Sequence, residues 1–205
     1  MRRAFSLGVY RVRGMATCAT CSKRLLNGII CSDCGNLQPP NAELSHFEYL
    51  GFEERYDVDT GALKRKFLEL QNKVHPDKAG SSGDTKKQLF EEHSSRLNSA
   101  YKVLLDPVLR AEYMLGTKED DKSAESPEFL MEMLEKGEEI EEISDHNQLE
   151  ATRKQLIDDI DSIKAEIADH FSHSQKAEAV TALIRLRYYL RLLSNVNSRL
   201  GFDSK

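Results

Sequence analysis

The sequence predicts an all-α protein in which a helical hairpin is followed by an antiparallel three-helix bundle, with a small cysteine-bearing module before them. The chain of 205 residues has only five prolines and is rich in Glu, Lys, Leu and Ala, which favour helices. Apolar residues recur at helical spacing in five stretches between residues 60 and 193. All four cysteines lie within residues 18–34.

Charge is distributed unevenly along the chain. Charged residues make up 31% and hydrophobic residues 40%, which is typical of a globular protein. The net charge of −5 combines +5 over residues 1–40 with −10 over the remaining 165 residues. An acidic body repels phosphate backbones, so we expect no nucleic-acid partner. No apolar run approaches the roughly 18–20 residues of a membrane span, so we expect no membrane-spanning segment.

Composition and chain breaks divide the sequence into four segments: 1–17, 18–38, 45–116 and 125–200. The first segment contains arginines, small and apolar residues and no acid, which is typical of a mitochondrial transit peptide. A disordered basic tail is the alternative. We therefore expect a protein of the mitochondrial matrix, and Met15 offers an internal start that would leave a cytosolic form.

The third segment contains two amphipathic helices. The first, over 60–75, has one apolar stripe: Leu63, Phe67, Leu70 and Val74. The opposite face is basic: Lys64, Arg65, Lys66 and Lys73. The second helix, over about 84–105, has a stripe of its own: Phe90, Leu97, Tyr101 and Leu104. Asp59 or Thr60 caps the first helix, Asp106-Pro107 ends the second, and residues 46–52 are predicted to form a short leading helix.

The tripeptide His75-Pro76-Asp77 lies where the first helix stops and the polar loop 75–83 begins. Pro76 fixes its own backbone and stiffens the corner between the helices. Asp77 presents a carboxylate suited to an arginine fork, and His75 adds a hydrogen-bonding ring. An ordinary helix-stop turn is the alternative, because proline and aspartate are common in turns.

The hairpin and its tripeptide together resemble the J-domain of co-chaperones. The resemblance rests on YLGF, LKRKFLELQNKVHPDK and LNSAYKVLLDPVLRAEYML, and it covers residues 46–115. It implies that His75, Pro76, Asp77 and the basic face contact a DnaK-type ATPase chaperone and stimulate its ATP hydrolysis. The chain itself would then hydrolyse nothing, and its sequence contains no recognisable nucleophile–base pair, phosphate-binding glycine loop or catalytic dyad.

The fourth segment contains three further helices. In 129–143 one face is suited to a core: Phe129, Met133, Ile140 and Ile143. A second face consists of leucine, methionine and glutamate: Leu130, Met131, Leu134, Glu135, Glu138 and Glu142. A helix needs one apolar stripe to pack, so the second stripe predicts a partner unless the bundle buries both sides. Two more stripes complete an antiparallel bundle: Leu149, Leu156, Ile160, Ile163 and Ile167, and Ala179, Leu183, Leu186, Leu190 and Leu193.

The segments FLMEMLEKGEEIEEI and LIRLRYYLRLLSNV are similar to the C-terminal domain of the HscB family of iron–sulfur cluster co-chaperones, and the similarity covers about residues 46–196. In that family the second face of the first bundle helix binds the cluster scaffold protein (IscU type), and the last helix adds an aromatic that corresponds to Tyr188. The resemblance implies delivery of the scaffold to a DnaK/HscA-type chaperone and leaves a homodimer open. Gly137 departs from the family's larger residue and could permit a close approach of helices.

The cysteines form two CxxC pairs, Cys18/Cys21 and Cys31/Cys34, separated by nine residues. Four thiolates at this spacing suit tetrahedral zinc, and Gly35 eases the turn after the second pair. We therefore predict a small N-terminal metal-binding module that holds structural zinc. An iron–sulfur cluster is one alternative, and disulfides are another that a reducing compartment disfavours. Animal-type members of the HscB family resemble this arrangement, which bacterial members lack.

Two other functions are alternatives for this sequence. The first is a J-domain co-chaperone for another client, in which the four cysteines form a metal-carrier or electron-transfer site. The J-domain protein of diphthamide synthesis is an example. Its metal module follows the J-domain, whereas the cysteines here precede it. A zinc-ribbon nucleic-acid binder is opposed by the acidic body and by the lack of interleaved aromatic and basic residues. Five histidines are expected to be surface or packing residues: His46, His93, His146, His170 and His173.

Overall fold

The computed structural model describes residues 17–23, 29–31, 33–75, 84–116 and 126–202. Within these ranges the chain forms seven helices: α1 His46–Leu50, α2 Thr60–Val74, α3 Asp84–Leu105, α4 Pro107–Leu115, α5 Pro127–Glu142, α6 His146–Ser172 and α7 Lys176–Arg199. The predicted all-α class, with a helical hairpin followed by a three-helix bundle, is confirmed.

Some sequence predictions lie outside the described residues. These are the transit segment up to residue 16, with Met15, and residues 76–83 of the polar loop, with Pro76 and Asp77. Contacts divide the chain into a first unit, Met1–Phe52 with Lys66–Ala100, and a second unit, Glu53–Arg65 with Tyr101–Lys205. Among the described helices, none combines the length and the apolar character needed to cross a bilayer.

The helix ends follow local hydrogen-bonding rules. Asp59, one of the two predicted caps, accepts a hydrogen bond from the backbone N–H of Ala62 at 2.9 Å and so begins α2. As predicted, α3 ends before Asp106-Pro107. The chain then enters α4 at once, because Asp106 caps the backbone N–H of Val108 and Pro107 needs no donor in a first turn. No feature of the sequence singled out α4 as a separate helix.

The first unit has an apolar core drawn from α1, α2 and α3, and all of these residues are buried: Phe47, Leu50, Leu70, Val74, Phe90 and Leu97. A capping box joins Ser45 and Glu48 at the start of α1, each side chain accepting from the other's backbone N–H. Gly51 ends α1 with a φ of 77°, which glycine adopts at low cost. Thus α1 is the short leading helix that the sequence predicts.

His93 is a fully buried polar residue in this core. Its Nε2 lies 2.6 Å from the carbonyl oxygen of Gln38. Because a carbonyl oxygen can only accept a hydrogen bond, Nε2 must carry the proton. In the neutral ring Nδ1 then accepts from the hydroxyl of Tyr49, at 2.5 Å. Burial lowers the pKa of His93 and raises that of Tyr49 to about 12, which keeps the ring neutral and the hydroxyl protonated. The expected packing role of His93 is confirmed.

The second unit is organised around the pairing of α6 with α7. The predicted stripes are buried at Leu149, Leu156, Ile160, Ile163, Ile167, Ala179, Leu183 and Leu186. Leu190 and Leu193 are partly buried against the same core. A half-buried ion pair between Arg187 of α7 and Glu112 of α4, at 2.6 Å, joins α4 to this pair of helices.

The inner face of α5 packs on the same core. Met133 and Ile140 are buried, and Phe129 and Ile143 are partly buried against the cluster. Near the end of α7, Arg199 donates hydrogen bonds to the carbonyls of Ile140 and Ile143, at the C-terminal end of α5. The rotational position of α5 is therefore fixed from α7, and its inner face matches the predicted core face.

We expect Gly137→Ala to raise the free energy of unfolding by about 0.5–1 kcal/mol, because alanine is the better helix former. A Cβ at position 137 would lie 3.9 Å from Cδ2 of Leu192, an ordinary contact, so close approach of α7 does not require glycine. Urea unfolding measures the change. Gly116→Ala is the control, since a φ of 73° makes alanine unfavourable there. A loss of stability in Gly137→Ala would contradict the expectation.

We also expect the first unit to lose stability as pH falls below about 6.5, the ordinary pKa of histidine. Because burial lowers the folded-state pKa of His93, the unfolded chain binds more protons in this window. The effects of Glu92 and Arg96 on the ring have opposite signs, and His46 shifts in the same direction as His93. Hydrogen exchange of α3 between about pH 5.5 and 7.5 measures how the free energy of unfolding changes with pH. For one titrating group this change is at most about 1.4 kcal/mol per pH unit.

His93→Gln is the matched control for this experiment. Glutamine keeps an N–H donor for the carbonyl of Gln38 but does not titrate. Its stability should therefore depend less on pH than that of the unmodified chain. Equal slopes in the two proteins would show that His93 does not cause the effect.

Candidate metal site and partner-binding surfaces

The four cysteine sulfurs form a compact cluster. Their Sγ atoms all lie within 4.8 Å of one another. The separation is 3.5 Å between Cys18 and Cys34 and 3.6 Å between Cys21 and Cys31. Tetrahedral zinc with Zn–S bonds of about 2.3 Å would place the sulfurs about 3.8 Å apart. The four cysteines are free rather than joined in disulfides, so the cluster fits a metal ion.

Two matching turns present these sulfurs. The backbone N–H of Ser22 donates to the carbonyl of Cys18 at 2.9 Å, and Gly35 donates to Cys31 at the same distance. Both donors have positive φ, 59° at Ser22 and 69° at Gly35. Gly35 thus has the turn role predicted for it, while Ser22 adopts the same conformation with a side chain that disfavours it. An antiparallel bridge between residues 30 and 37 closes the module.

Hydrogen-bond donors converge on Cys18, which is buried. Burial opposes its ionisation, but hydrogen bonds from the backbone N–H groups of Cys21 and Thr20, each 3.4 Å from the sulfur, together with those from the thiols of Cys34 and Cys21, lower the pKa of Cys18 to about 6. The side-chain amide of Gln38 adds a third donor at 3.3 Å. Donors of this kind stabilise a thiolate, which is the form that binds metal. The sequence analysis missed Gln38.

The outer face of α5 lies open to solvent. Met131 is 66% exposed and Leu134 is 64% exposed, while Leu130 is half-buried. The three predicted acidic residues of this face are all exposed: Glu135, Glu138 and Glu142. The bundle therefore does not bury both sides of α5, and a mixed apolar and acidic surface remains. Contiguous exposed apolar residues of this kind mark partner-binding sites.

Tyr188 of α7 lies beside α5. Its ring meets that of Phe129 edge-on, with centroids 5.3 Å apart, and the guanidinium of Arg191 lies 5.4 Å from its centroid. The side chain is half-buried. It is therefore held in one place by residues of both helices, as a binding anchor needs to be.

The predicted basic face of α2 is less uniform than its sequence indicates. Lys64 and Arg65 are exposed. Glu69, however, forms ion pairs with Lys73 at 2.6 Å and with Lys66 at 3.1 Å. Both lysines lower the pKa of Glu69, and Lys73 has the larger effect. Two of the four predicted cations thus share one carboxylate on the same helix. Because Glu69 lies at helical spacing from both lysines, the i,i+3 and i,i+4 rule could have identified it.

An exposed line on α2 leads to His75. At about 100° per residue, Lys64, Leu68 and His75 fall within about 40° of one another. His75 is exposed directly after the last residue of α2, and Leu68 is 49% exposed. The sequence analysis missed Leu68, although its spacing from Lys64 and His75 was available. The remaining residues of the tripeptide, Pro76 and Asp77, lie outside the described part of the chain.

Two protein-family models match the chain. The DnaJ domain matches residues 45–113, and the HSCB C-terminal oligomerisation domain matches residues 125–197. The first match includes α1 to α3 and His75, and the second includes the exposed face of α5 and Tyr188.

Full-length proteins and solved structures agree with these matches. An iron-sulfur cluster co-chaperone protein HscB homolog from Arabidopsis thaliana is 25% identical over 203 residues, 97% of this chain and 80% of the relative. A co-chaperone protein HscB homolog from Paraburkholderia phymatum is 34% identical over 151 residues, 68% of this chain and 86% of the relative.

The crystal structure of human co-chaperone HscB has a TM-score of 0.76 and 24% identity, covering 90% of this chain and 98% of that one. The structure of chaperone HscB from Vibrio cholerae has a TM-score of 0.69 and 24% identity, and the match covers 77% of this chain and 98% of that one. These two similarities show a shared fold. Together with the sequence matches, they place the protein: the chain belongs to the HscB family of J-domain co-chaperones.

Proposed function

We propose that this protein is a non-catalytic co-chaperone of iron–sulfur cluster biogenesis. It binds an IscU-type scaffold protein through its C-terminal helices and delivers it to a DnaK/HscA-type chaperone, whose ATPase it stimulates through His75, Pro76 and Asp77. Family membership supports partners of these two kinds, and the printed name of the Arabidopsis relative supports the link to iron–sulfur clusters.

The observation that carries the proposal is the two-sided character of α5. Its inner face is buried, whereas Met131 and Leu134 on the outer face are about two-thirds exposed. Exposing two large apolar side chains next to each other is unfavourable in water unless a partner covers them. The surrounding acids, Glu135, Glu138 and Glu142, favour a partner with a complementary basic surface.

On the chaperone side, the exposed line of Lys64, Leu68 and His75 supports a contact that combines charge, apolar area and a hydrogen-bonding ring. Because Glu69 partly neutralises Lys66 and Lys73, we propose that Lys64 and Arg65 supply most of the positive charge. This division would make the interaction less dependent on salt than four unpaired cations would.

We further propose that the four-cysteine site holds structural zinc, that the protein acts in the mitochondrial matrix, and that a start at Met15 yields a cytosolic form. Cysteine-only ligation and the sulfur spacing support zinc. A J-domain protein serving another client through a metal-carrier or electron-transfer site is the alternative. Metal analysis and an absorption spectrum distinguish them, since zinc is colourless and iron–thiolate sites absorb visible light.

A homodimer is the competing occupant of the exposed α5 face, because the family model over residues 125–197 is described as an oligomerisation domain. Sedimentation of the chain alone, and with an excess of scaffold protein, distinguishes the two. Scaffold binding to a chain that is monomeric at the same concentration supports the proposal. A stable dimer that excludes the scaffold would contradict it.

Replacing both exposed apolar residues, Met131→Ala with Leu134→Ala, should weaken scaffold binding by about 30–1,000-fold, since buried interface anchors contribute about 1–2 kcal/mol each. Their exposure means that the core loses no packing. Titration calorimetry with the purified scaffold protein measures the change. Phe202→Ala, which removes another exposed apolar side chain of the second unit, should leave the affinity unaltered. Scaffold affinity that survives the double change would refute the role of this face.

His75→Gln should reduce stimulation of the chaperone's ATPase at least about tenfold. Scaffold affinity should stay unchanged, because the two surfaces belong to different helices. Single-turnover ATP hydrolysis measures stimulation. His146→Gln, which replaces another exposed histidine, is the control. If His75→Gln stimulates as well as the unmodified chain, the tripeptide does not engage the chaperone.

A further inference from the structure

Gln38 lies between the four-cysteine site and the core of the first unit, and it is almost completely buried. Its side-chain Oε1 accepts a hydrogen bond from the backbone N–H of Ala19 at 2.8 Å, which fixes the orientation of the amide. Its Nε2 must then donate, and it does so to Cys18 Sγ at 3.3 Å and to the carbonyl of Asn36 at 2.9 Å. Each polar atom of this side chain is therefore committed to the metal module.

The backbone carbonyl of the same residue contacts the helical core, whereas its N–H donates to the carbonyl of Ile29 in the module at 2.8 Å. The carbonyl oxygen of Gln38 accepts from Nε2 of His93 at 2.6 Å, and Nδ1 of His93 accepts from the hydroxyl of Tyr49 at 2.5 Å. A continuous hydrogen-bonded chain thus runs from Cys18 through Gln38 and His93 to Tyr49. Its members come from the cysteine turn, the segment before α1, α3 and α1.

Arg96, one helical turn after His93, strengthens the same attachment. Its guanidinium donates to the carbonyls of Asn41 and Leu44, and it lies 4.5 Å from the centroid of the Tyr49 ring. The segment that follows Gln38 is therefore held to α3 at two successive turns. A change in the position of residue 38 has to be transmitted to α3 or must leave buried polar groups unpaired, and the latter is unfavourable.

We propose that Gln38 is a positioning residue that couples metal binding by the four cysteines to the stability of the J-domain core. Metal binding fixes the turn that carries Cys18 and Ala19, this turn holds the amide of Gln38 at both ends, and Gln38 holds His93 and α3. The coupling is reciprocal, so the intact core also strengthens metal binding. This inference rests on the proposed metal site and not on the proposed chaperone function, because its tests use neither the chaperone nor the scaffold.

The test compares hydrogen exchange of the full chain with and without metal. Metal content is measured first, and zinc is then removed with a chelator. Without metal we expect amides around His93 in α3 to exchange at least about tenfold faster, whereas amides of α6 change by less than about twofold. Equal protection of α3 in the two forms, or a protein that binds no metal at all, would overturn the inference.

A matched pair of variants separates coupling from simple loss of a sulfur contact. Gln38→Glu and Asn36→Asp each replace an amide donor beside a cysteine sulfur by a carboxylate, since Nδ2 of Asn36 lies 3.5 Å from Cys34 Sγ. Both should weaken metal binding, by about 10–100-fold for Gln38→Glu. Only Gln38→Glu should reduce the ratio of α3 protection with metal to that without metal. An unchanged ratio in Gln38→Glu would contradict the proposal.

Tyr49→Phe tests the reciprocal effect from the far end of the chain of hydrogen bonds and keeps the ring in the core. Cobalt(II) titration followed by its visible spectrum measures the affinity of the site. We expect at least about threefold weaker binding in Tyr49→Phe. Unchanged affinity would show that the core does not act on the cysteines. The comparison of the unmodified chain with and without metal decides the question even if Gln38→Glu does not fold.

Discussion

The pairing of α6 with α7 is the interaction on which the second unit depends. Their stripes, from Leu149 to Ile167 and from Ala179 to Leu186, bury one another and form the surface on which α5 packs. Because α5 can turn only one face toward that surface, its other face is left exposed to solvent. The two hydrogen bonds from Arg199 to the end of α5 hold this rotation. The proposed scaffold-binding surface is therefore a consequence of bundle packing.

The parts of the fold that could be predicted from the sequence are those that local rules determine. Stripes with helical spacing identify the buried face of each long helix, and Asp106-Pro107 identifies the end of α3. The missed parts depend on partners distant in sequence: His93 contacts Tyr49 and Gln38, 44 and 55 residues away. No periodicity reports such contacts, so the histidine could be expected to pack but not to join two parts of the molecule.

The candidate sites also contain parts that local sequence rules predict and parts that depend on residues distant in sequence. The CxxC spacing was sufficient to predict the four-sulfur cluster, whereas the amide of Gln38 beside Cys18 comes from outside both CxxC motifs. The outer face of α5 could be found from helical angles because those angles are local. Helical spacing also predicts the ion pairs of Glu69 and the exposure of Leu68. A count of the basic residues on α2 takes account of neither. A count of charges describes a face only when neighbouring carboxylates are counted too.

Delivery of a scaffold protein to an ATP-hydrolysing chaperone by one chain can be measured in four reactions. Single-turnover ATP hydrolysis by a DnaK-type chaperone is followed alone, with this protein, with the scaffold protein, and with both. Because delivery couples the two binding events, we expect both proteins together to stimulate hydrolysis by more than the product of their separate effects. Stimulation no greater than that product would contradict this expectation, because the two surfaces would then act independently.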